Sequence, residues 1–304
     1  MSKHVLVTGA TSFIAVELIK LLLEQNYQLT AVIRPFSKNI KRLPRHPFLC
    51  IVPLDLDQIS NLPKQINSFA PDFFIHFAWE GVRAPQRDNE TQQKSNFHAI
   101  EQAMFVASKM GCKTFVGIGS QAEYGEVKGL VNEHNVCNPS SQYGIYKLMA
   151  FHRLSEIAKQ TDIRLIWPRI FSVYGPNDYT GSLIMSSVSK MSKNQPVSIS
   201  FHGRLWDFLY VTDAAQALIS LVNTVSASGV YNVAMGQSQP LGKYIIEMKK
   251  VLNSKSDLIF QPCDGNMTKV NGFTPSIEKL QFETGWEPTV NFHEGILRTA
   301  NSAQ

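Results

Sequence analysis

Six short apolar runs, separated by stretches of helical period, recur across the first 170 residues: 5–7, 29–33, 48–52, 73–77, 114–118 and 164–167. None alternates apolar with polar residues, so the runs predict strands covered on both faces. Between the first two, Ile14, Leu18, Leu21 and Leu22 share one helical face, while Glu17, Lys20 and Glu24 share another. Strand, helix and strand repeating at this spacing predict βαβ units and a doubly wound parallel sheet, an α/β fold.

After about residue 176 the rhythm shortens. Runs at 196–201, 207–211, 230–233 and 258–261 predict strands, and 214–225 and 241–252 predict helices. The expected division is therefore a doubly wound first domain over 1–175 and a smaller α+β region over 176–304, with no flexible linker and able to interleave with the first.

Composition excludes several classes. At 304 residues, 44% apolar and 17% charged, the chain is too apolar for disorder and long enough for a large core. No stretch reaches the roughly 18 uncharged apolar residues that a membrane span requires; the longest candidate, 13–23, is interrupted by Glu17 and Lys20. Residues 1–9 run straight into a strand without a basic leader, which predicts a cytoplasmic protein. Cys50, Cys112, Cys137 and Cys263 are far apart and the histidines are scattered, so reduced thiols and no metal are expected. A net charge of +5 with one basic stretch, 38–45, argues against nucleic-acid binding.

The first βα turn reads Thr8-Gly9-Ala10-Thr11-Ser12-Phe13-Ile14-Ala15. Gly9 permits a tight turn, and the following helix points free N–H groups and its positive dipole end at the loop, a ready pyrophosphate site. The second strand ends at Ile33-Arg34. A carboxylate near this point binds the ribose 2′-OH of NAD, whereas an arginine accommodates a 2′-phosphate, so Arg34, with Lys38, predicts NADPH over NADH.

Tyr143 and Lys147 stand i, i+4 on a helix beginning after Asn138-Pro139-Ser140-Ser141. One face then presents a phenol and an ammonium. The ammonium is expected to lower the phenol's pKa from its usual value near 10, and the phenol to act as an acid toward a carbonyl. About twenty residues upstream, the fifth strand runs into Gly119-Ser120 at the ligand-binding edge of the sheet, where the Ser120 hydroxyl would face the same oxygen.

These residues, in this order, resemble an extended short-chain dehydrogenase/reductase of the nucleotide-sugar epimerase/dehydratase group, with its Rossmann-type fold. The landmarks are Thr8-Gly9-x-x-Ser12-x-x-Ala15, Asp55-Leu56, His76-Phe77-Ala78, Asn96 and Gly119-Ser120-Gln121-Ala122-Glu123-Tyr124-Gly125. Tyr143-Gly144-x-x-Lys147, Pro168-Arg169-x-x-x-Val173-Tyr174-Gly175-Pro176, Trp206-Asp207-Phe208-x-Tyr210-Val211-x-Asp213 and Gly285-Trp286-x-Pro288 follow. The resemblance implies Ser120, Tyr143 and Lys147 as the catalytic triad. It implies a cofactor lined by Thr8, Gly9, Thr11, Ser12, Phe13, Ile14, Asp55, Leu56, Phe77, Ala78 and Phe171, besides Arg34, Lys38, Tyr143 and Lys147. Asn96 would fix a helix bend that positions Tyr143. A homodimer would form through the helix carrying Tyr143 and the one near 93–110.

The departures narrow the chemistry. Ser12 stands at the second glycine position of the turn. Gln121-Ala122 replace the Asp-Glu pair of 4,6-dehydratases, and neither can serve as acid or base, which disfavours dehydration. Glu123 stands where relatives have an apolar residue and is expected to face substrate, with Gln121. Trp206 replaces the arginine that grips the nucleotide diphosphate, leaving Arg204 for that task and Trp206 for stacking. Trp79, opening the loop 79–83, would wall the sugar. The expected activity is NADPH-dependent reduction of the C4 keto group of a nucleotide-linked 4-keto-6-deoxy hexose or heptose, in surface polysaccharide synthesis. An NAD-dependent nucleotide-sugar 4-epimerase is the alternative, and a non-catalytic NADP-sensing scaffold the second.

Overall fold

The computed structural model describes residues 3–66, 70–261 and 272–302, and Cys263 lies outside them. An all-parallel sheet runs through its centre. Its strands are β1 (His4–Thr8), β2 (Gln28–Ile33), β3 (Leu49–Pro53), β4 (Phe73–His76), β5 (Thr114–Gly117), β6 (Arg164–Ile170) and β7 (Gly229–Val233). Their spatial order is 3-2-1-4-5-6-7. The chain thus starts in the middle, winds out to β3, and returns to β4 beside β1. Val7 pairs with Ala31 on one side and Ile75 on the other. The reversal between β1 and β4 opens a crevice at the strands' carboxyl ends.

Four long helices flank this sheet: α1 (Phe13–Glu24), α2 (Glu90–Lys109), α3 (Gln142–Gln160) and α4 (Val211–Asn223). Leu18, Ile19 and Leu22 of α1 bury with Leu218 and Leu221 of α4 against one face, where Val5 and Val7 also point. Ile100 and Met104 of α2 and Ala150 and Leu154 of α3 bury with Leu6, Phe115 and Trp167 on the other. Adjacent residues of β1 therefore enter opposite cores, which is why the strand reads as continuously apolar. Each such leucine or isoleucine contributes about 1.5–3 kcal/mol by leaving water.

The smaller region gathers short elements around a third cluster that includes Tyr174, Tyr210, Tyr244, Met248 and Ile296. Phe208–Tyr210 pairs in parallel with Ser172–Tyr174, and Val197–Ile199 with Leu258–Phe260. A cut at 175/176 does not separate the two regions. Strand β7 and helix α4, beyond it, return to the large sheet, while Ser172–Tyr174, before it, pairs into the small one. Strand β6 also runs three residues further than the sequence predicts, through Pro168 to Ile170.

Candidate active site

Two close approaches assemble the cleft. Gly9, at φ +65°, lies so near the residue after β4 that a Cβ there would come 2.6 Å from the Ala78 nitrogen. The first turn and the 77–79 segment are thus seated on one another, backbone against backbone. The second is at Gly144, where a Cβ would reach 2.4 Å from the Ala122 carbonyl oxygen. This lets the start of α3 press onto the short turn Gln121–Glu123. Because Gly119 and Ser120 pair with Arg169 and Ile170 of β6, Ser120 is carried to the sheet's edge just beneath Tyr143.

Helix α3 begins at Ser141, whose hydroxyl accepts the Gly144 N–H at 3.2 Å. Arg87 Nη2 donates to the same oxygen at 2.9 Å, and the Gln142 N–H donates to Asp88 at 3.2 Å. Arg87 and Asp88, absent from the sequence-based candidates, thus dock the start of the catalytic helix. Ser120 Oγ accepts the Ala122 N–H at 3.2 Å. With a lone pair so engaged, the hydroxyl keeps its proton free to donate outward.

The electrostatics differ from expectation. Burial pushes the Tyr143 phenol up to about 12, with the nearby Ser120 hydroxyl pulling the other way. Lys147 does not lower it, because an amine that loses its charge near 7 is already neutral at the pH where the phenol ionises. Lys147 Nζ donates to the Ile118 carbonyl at 2.7 Å and sits 3.7 Å from the centroid of the Trp79 ring. Burial brings the amine itself down to about 7, opposed by the charge of Glu123. His76, at the end of β4, is driven to about 3 by burial and then by Lys147, so its imidazole is neutral. Its Nδ1 is 2.8 Å from Thr8 Oγ1. The Thr8 hydroxyl therefore faces into the protein and not toward the first turn.

The loop after β4 is shaped by α2. Trp79 Nε1 donates to Gln93 Oε1 at 2.7 Å, while Gln93 Nε2 donates to the carbonyls of Gly81 at 2.8 Å and Gln86 at 3.2 Å. Asn96 brackets the Glu80 backbone, accepting its N–H at 3.0 Å and donating to its carbonyl at 2.8 Å. Asn96 thus fastens the Trp79 loop. Gln93 escaped sequence reasoning, although its i, i+3 relation to Asn96 puts both on one face of α2.

The remaining candidates fall into three groups. Ser12 caps α1 in extended conformation, its exposed hydroxyl makes no capping bond, and no acidic side chain lies in the helix's first turn. Thr11, Phe13 and Ile14 flank it, half-buried. With the glycine cradle, this fits the pyrophosphate of a dinucleotide: donors without a competing carboxylate. Lys38 and Asp55 are exposed and Leu56 half-buried, at the ends of β2 and β3, where an adenosine would lie; Phe77 and Ala78 are half-buried. Arg34 is exposed and ion-paired with Glu80 of the Trp79 loop. Phe171 is buried, its N–H held by the Val233 carbonyl at 3.1 Å. Gln121 is half-buried at the turn, and Arg204 lies over Trp206, 5.4 Å from its ring centroid, in the smaller region.

Glu123 is a correction. It is fully buried, pointing away from the cleft into Arg169 and Trp167, and offers no oxygen to a substrate. Among the described residues no group of His, Cys, Asp and Glu could hold a metal, and no helix is long and apolar enough to cross a membrane.

The chain as a whole has known counterparts. A putative UDP-glucose 4-epimerase of Methanocaldococcus jannaschii is 26% identical over 310 residues, covering 98% of this chain and 97% of that one. The dTDP-4-dehydro-6-deoxyglucose reductase of Escherichia coli is 24% identical over 287 residues, covering 83% and 90%. An epimerase structure from Methanothermobacter thermautotrophicus superposes with a TM-score of 0.87 at 19% identity, over 99% of this chain and 92% of that one. The family model described as the NAD dependent epimerase/dehydratase family matches residues 5–234, and the chain belongs to that family.

Proposed function

We propose that this protein uses NADPH to reduce the C4 carbonyl of a nucleotide-linked 4-keto-6-deoxy sugar. The observation that carries the reading is the convergence of two protonated hydroxyls, Ser120 and Tyr143, with a buried amine one helical turn behind. A phenol held near 12 keeps its proton at neutral pH, the form that a carbonyl reduction consumes. The cofactor, when bound, supplies the hydride. Ser120 would donate a hydrogen bond to the carbonyl oxygen, and Tyr143 would transfer its proton there as the alcohol forms. The Lys147 ammonium would hold the nicotinamide ribose and balance the phenolate left behind until solvent reprotonates it.

Three features support reduction. Arg34, not a carboxylate, directly follows β2. Gln121 and Ala122 cannot serve as acid and base for loss of water. The Escherichia coli relative is named as a reductase of a 4-dehydro-6-deoxy sugar. One observation favours the NAD-dependent 4-epimerase instead: Arg34 is already paired with Glu80 and so offers no free charge to a 2′-phosphate. The α2–α3 pair leaves Met149 exposed and Phe97 and Phe105 half-buried, which supports a homodimer through these helices.

The deciding experiment supplies purified protein with NADPH or NADH and a panel of dTDP-, CDP-, GDP- and UDP-linked 4-keto-6-deoxy sugars. Stoichiometric NADPH oxidation with formation of the C4 alcohol is expected. NAD⁺ that survives desalting, with interconversion of C4 epimers and no net cofactor consumption, would overturn it in favour of the epimerase.

A further inference from the structure

Behind the Ser120 hydroxyl sits a carboxylate wholly removed from water. Glu123 accepts the Ser120 N–H at 2.8 Å, the Trp167 Nε1–H at 3.0 and 3.1 Å through its two oxygens, and the Arg169 Nε–H at 2.8 Å. Both members of the Glu123–Arg169 pair are buried, at 0% and 3% exposure. Burying such a pair costs so much desolvation that an apolar pair of similar volume commonly stabilises a core at least as well. Packing alone therefore does not account for it.

Its geometry does. The Ser120 amide is turned inward onto Glu123, and the Ser120 oxygen is fixed from the side by Ala122 N–H. The turn is thereby closed at both ends, and the hydroxyl proton is the one donor of Ser120 that faces the cleft. The same carboxylate acts on α3, favouring the ammonium of Lys147 and disfavouring ionisation of Tyr143. We propose that Glu123 is a positioning residue that aims the Ser120 hydroxyl at the reacting oxygen. This rests on the reading of Ser120, Tyr143 and Lys147 as the reacting groups.

The charged and titratable groups around this centre are few. Arg169 from β6 and Cys137 face Glu123, and the Tyr124 ring lies under the Arg169 guanidinium. His76 from β4 faces Lys147, and Arg87 faces Tyr143.

The test is a double-mutant cycle. Glu123→Gln keeps the volume and an acceptor but removes the charge. It should lower kcat about tenfold or more, as loss of a charge-assisted hydrogen bond does, and leave the cofactor KM unchanged. In a Ser120→Ala background the same change should cost less than about twofold, because residues acting as a unit are non-additive. An equal cost with and without the Ser120 hydroxyl would overturn the proposal.

Should Glu123→Gln fail to fold, Glu123→Leu combined with Arg169→Met replaces the pair by apolar groups. It should fold, with kcat lowered and the Ser120 amide exchanging faster with solvent; wild-type kcat or unchanged exchange would refute the role. Amide exchange needs no turnover. A wild-type chain inactive on every 4-keto sugar would therefore defeat the proposed function while the exchange result still decides on Glu123.

Discussion

The Lys147 ammonium lies 3.7 Å from the centroid of the Trp79 indole and 5.8 Å from that of the Tyr143 ring, so its nearest aromatic neighbour comes from a loop and not from its own helix. The indole meets Tyr143 edge-on, with ring centroids 6.2 Å apart. Trp79 thus neighbours both reactive groups at once. An amine pressed on an aromatic face is attracted to it while remaining shielded from water, which matches a pKa near 7.

This gives a pH dependence with a definite sign. If turnover requires the ammonium, kcat/KM should be level below about pH 7 and fall about tenfold per unit above it. Folding stability should go the other way. Between about 7 and the ordinary amine value of 10.5 the folded chain binds fewer protons than the unfolded one, so this group makes stability rise with pH there. A rate profile level to pH 9 alongside a pH-independent melting temperature would contradict both.

Tyr143→Phe removes the proton donor and little else. Turnover should fall about 10²–10⁴-fold, the usual worth of a general acid, with cofactor affinity nearly unchanged. Stopped turnover with intact cofactor binding, measured by fluorescence titration, is the expected result.

The Arg34–Glu80 ion pair predicts a competition. Glu80→Gln should free the guanidinium and tighten NADPH binding about two- to fivefold, the scale of an exposed ion pair, without a matching gain for NADH. Arg34→Asp should erode any NADPH preference. Titration of the two variants with each nucleotide measures this directly.

Gln93→Leu breaks the tie between α2 and the Trp79 loop, leaving the indole N–H and the Gly81 carbonyl without their partner. The expected cost is about 1–3 kcal/mol of stability, as for a lost buried partner. The sugar KM should rise more than the cofactor KM. Thermal denaturation and steady-state kinetics on the same preparation separate the two effects.

Much of this was legible in the chain. Strands β1, β2, β4, β5 and β6 declare themselves because both faces are covered, and Tyr143 with Lys147 because four residues make one helical turn; β3, at the sheet's edge, is mostly exposed although its run is apolar. What was not legible is where side chains turn once the turn is folded. Glu123 is two residues from Gln121, yet one is half-buried at the cleft and the other points into β6, since a single helical turn rotates neighbours apart. The Thr8 hydroxyl went to His76, 68 positions away, a pairing created by the β1–β4 contact. Trp79 was visible as an aromatic on a loop, but the amine over its face and the amide at its edge come from two separate helices.

The seat of Gly9 on Ala78 has a mechanical corollary. Trp79 follows Ala78 directly in the chain, so the phosphate-facing turn and the aromatic wall share a fulcrum. A displacement of the turn by a fraction of an ångström has no soft side chain to absorb it and would be passed directly to the indole and the amine resting on it. Occupancy at one end of the crevice would then be felt at the other without either ligand touching its neighbour.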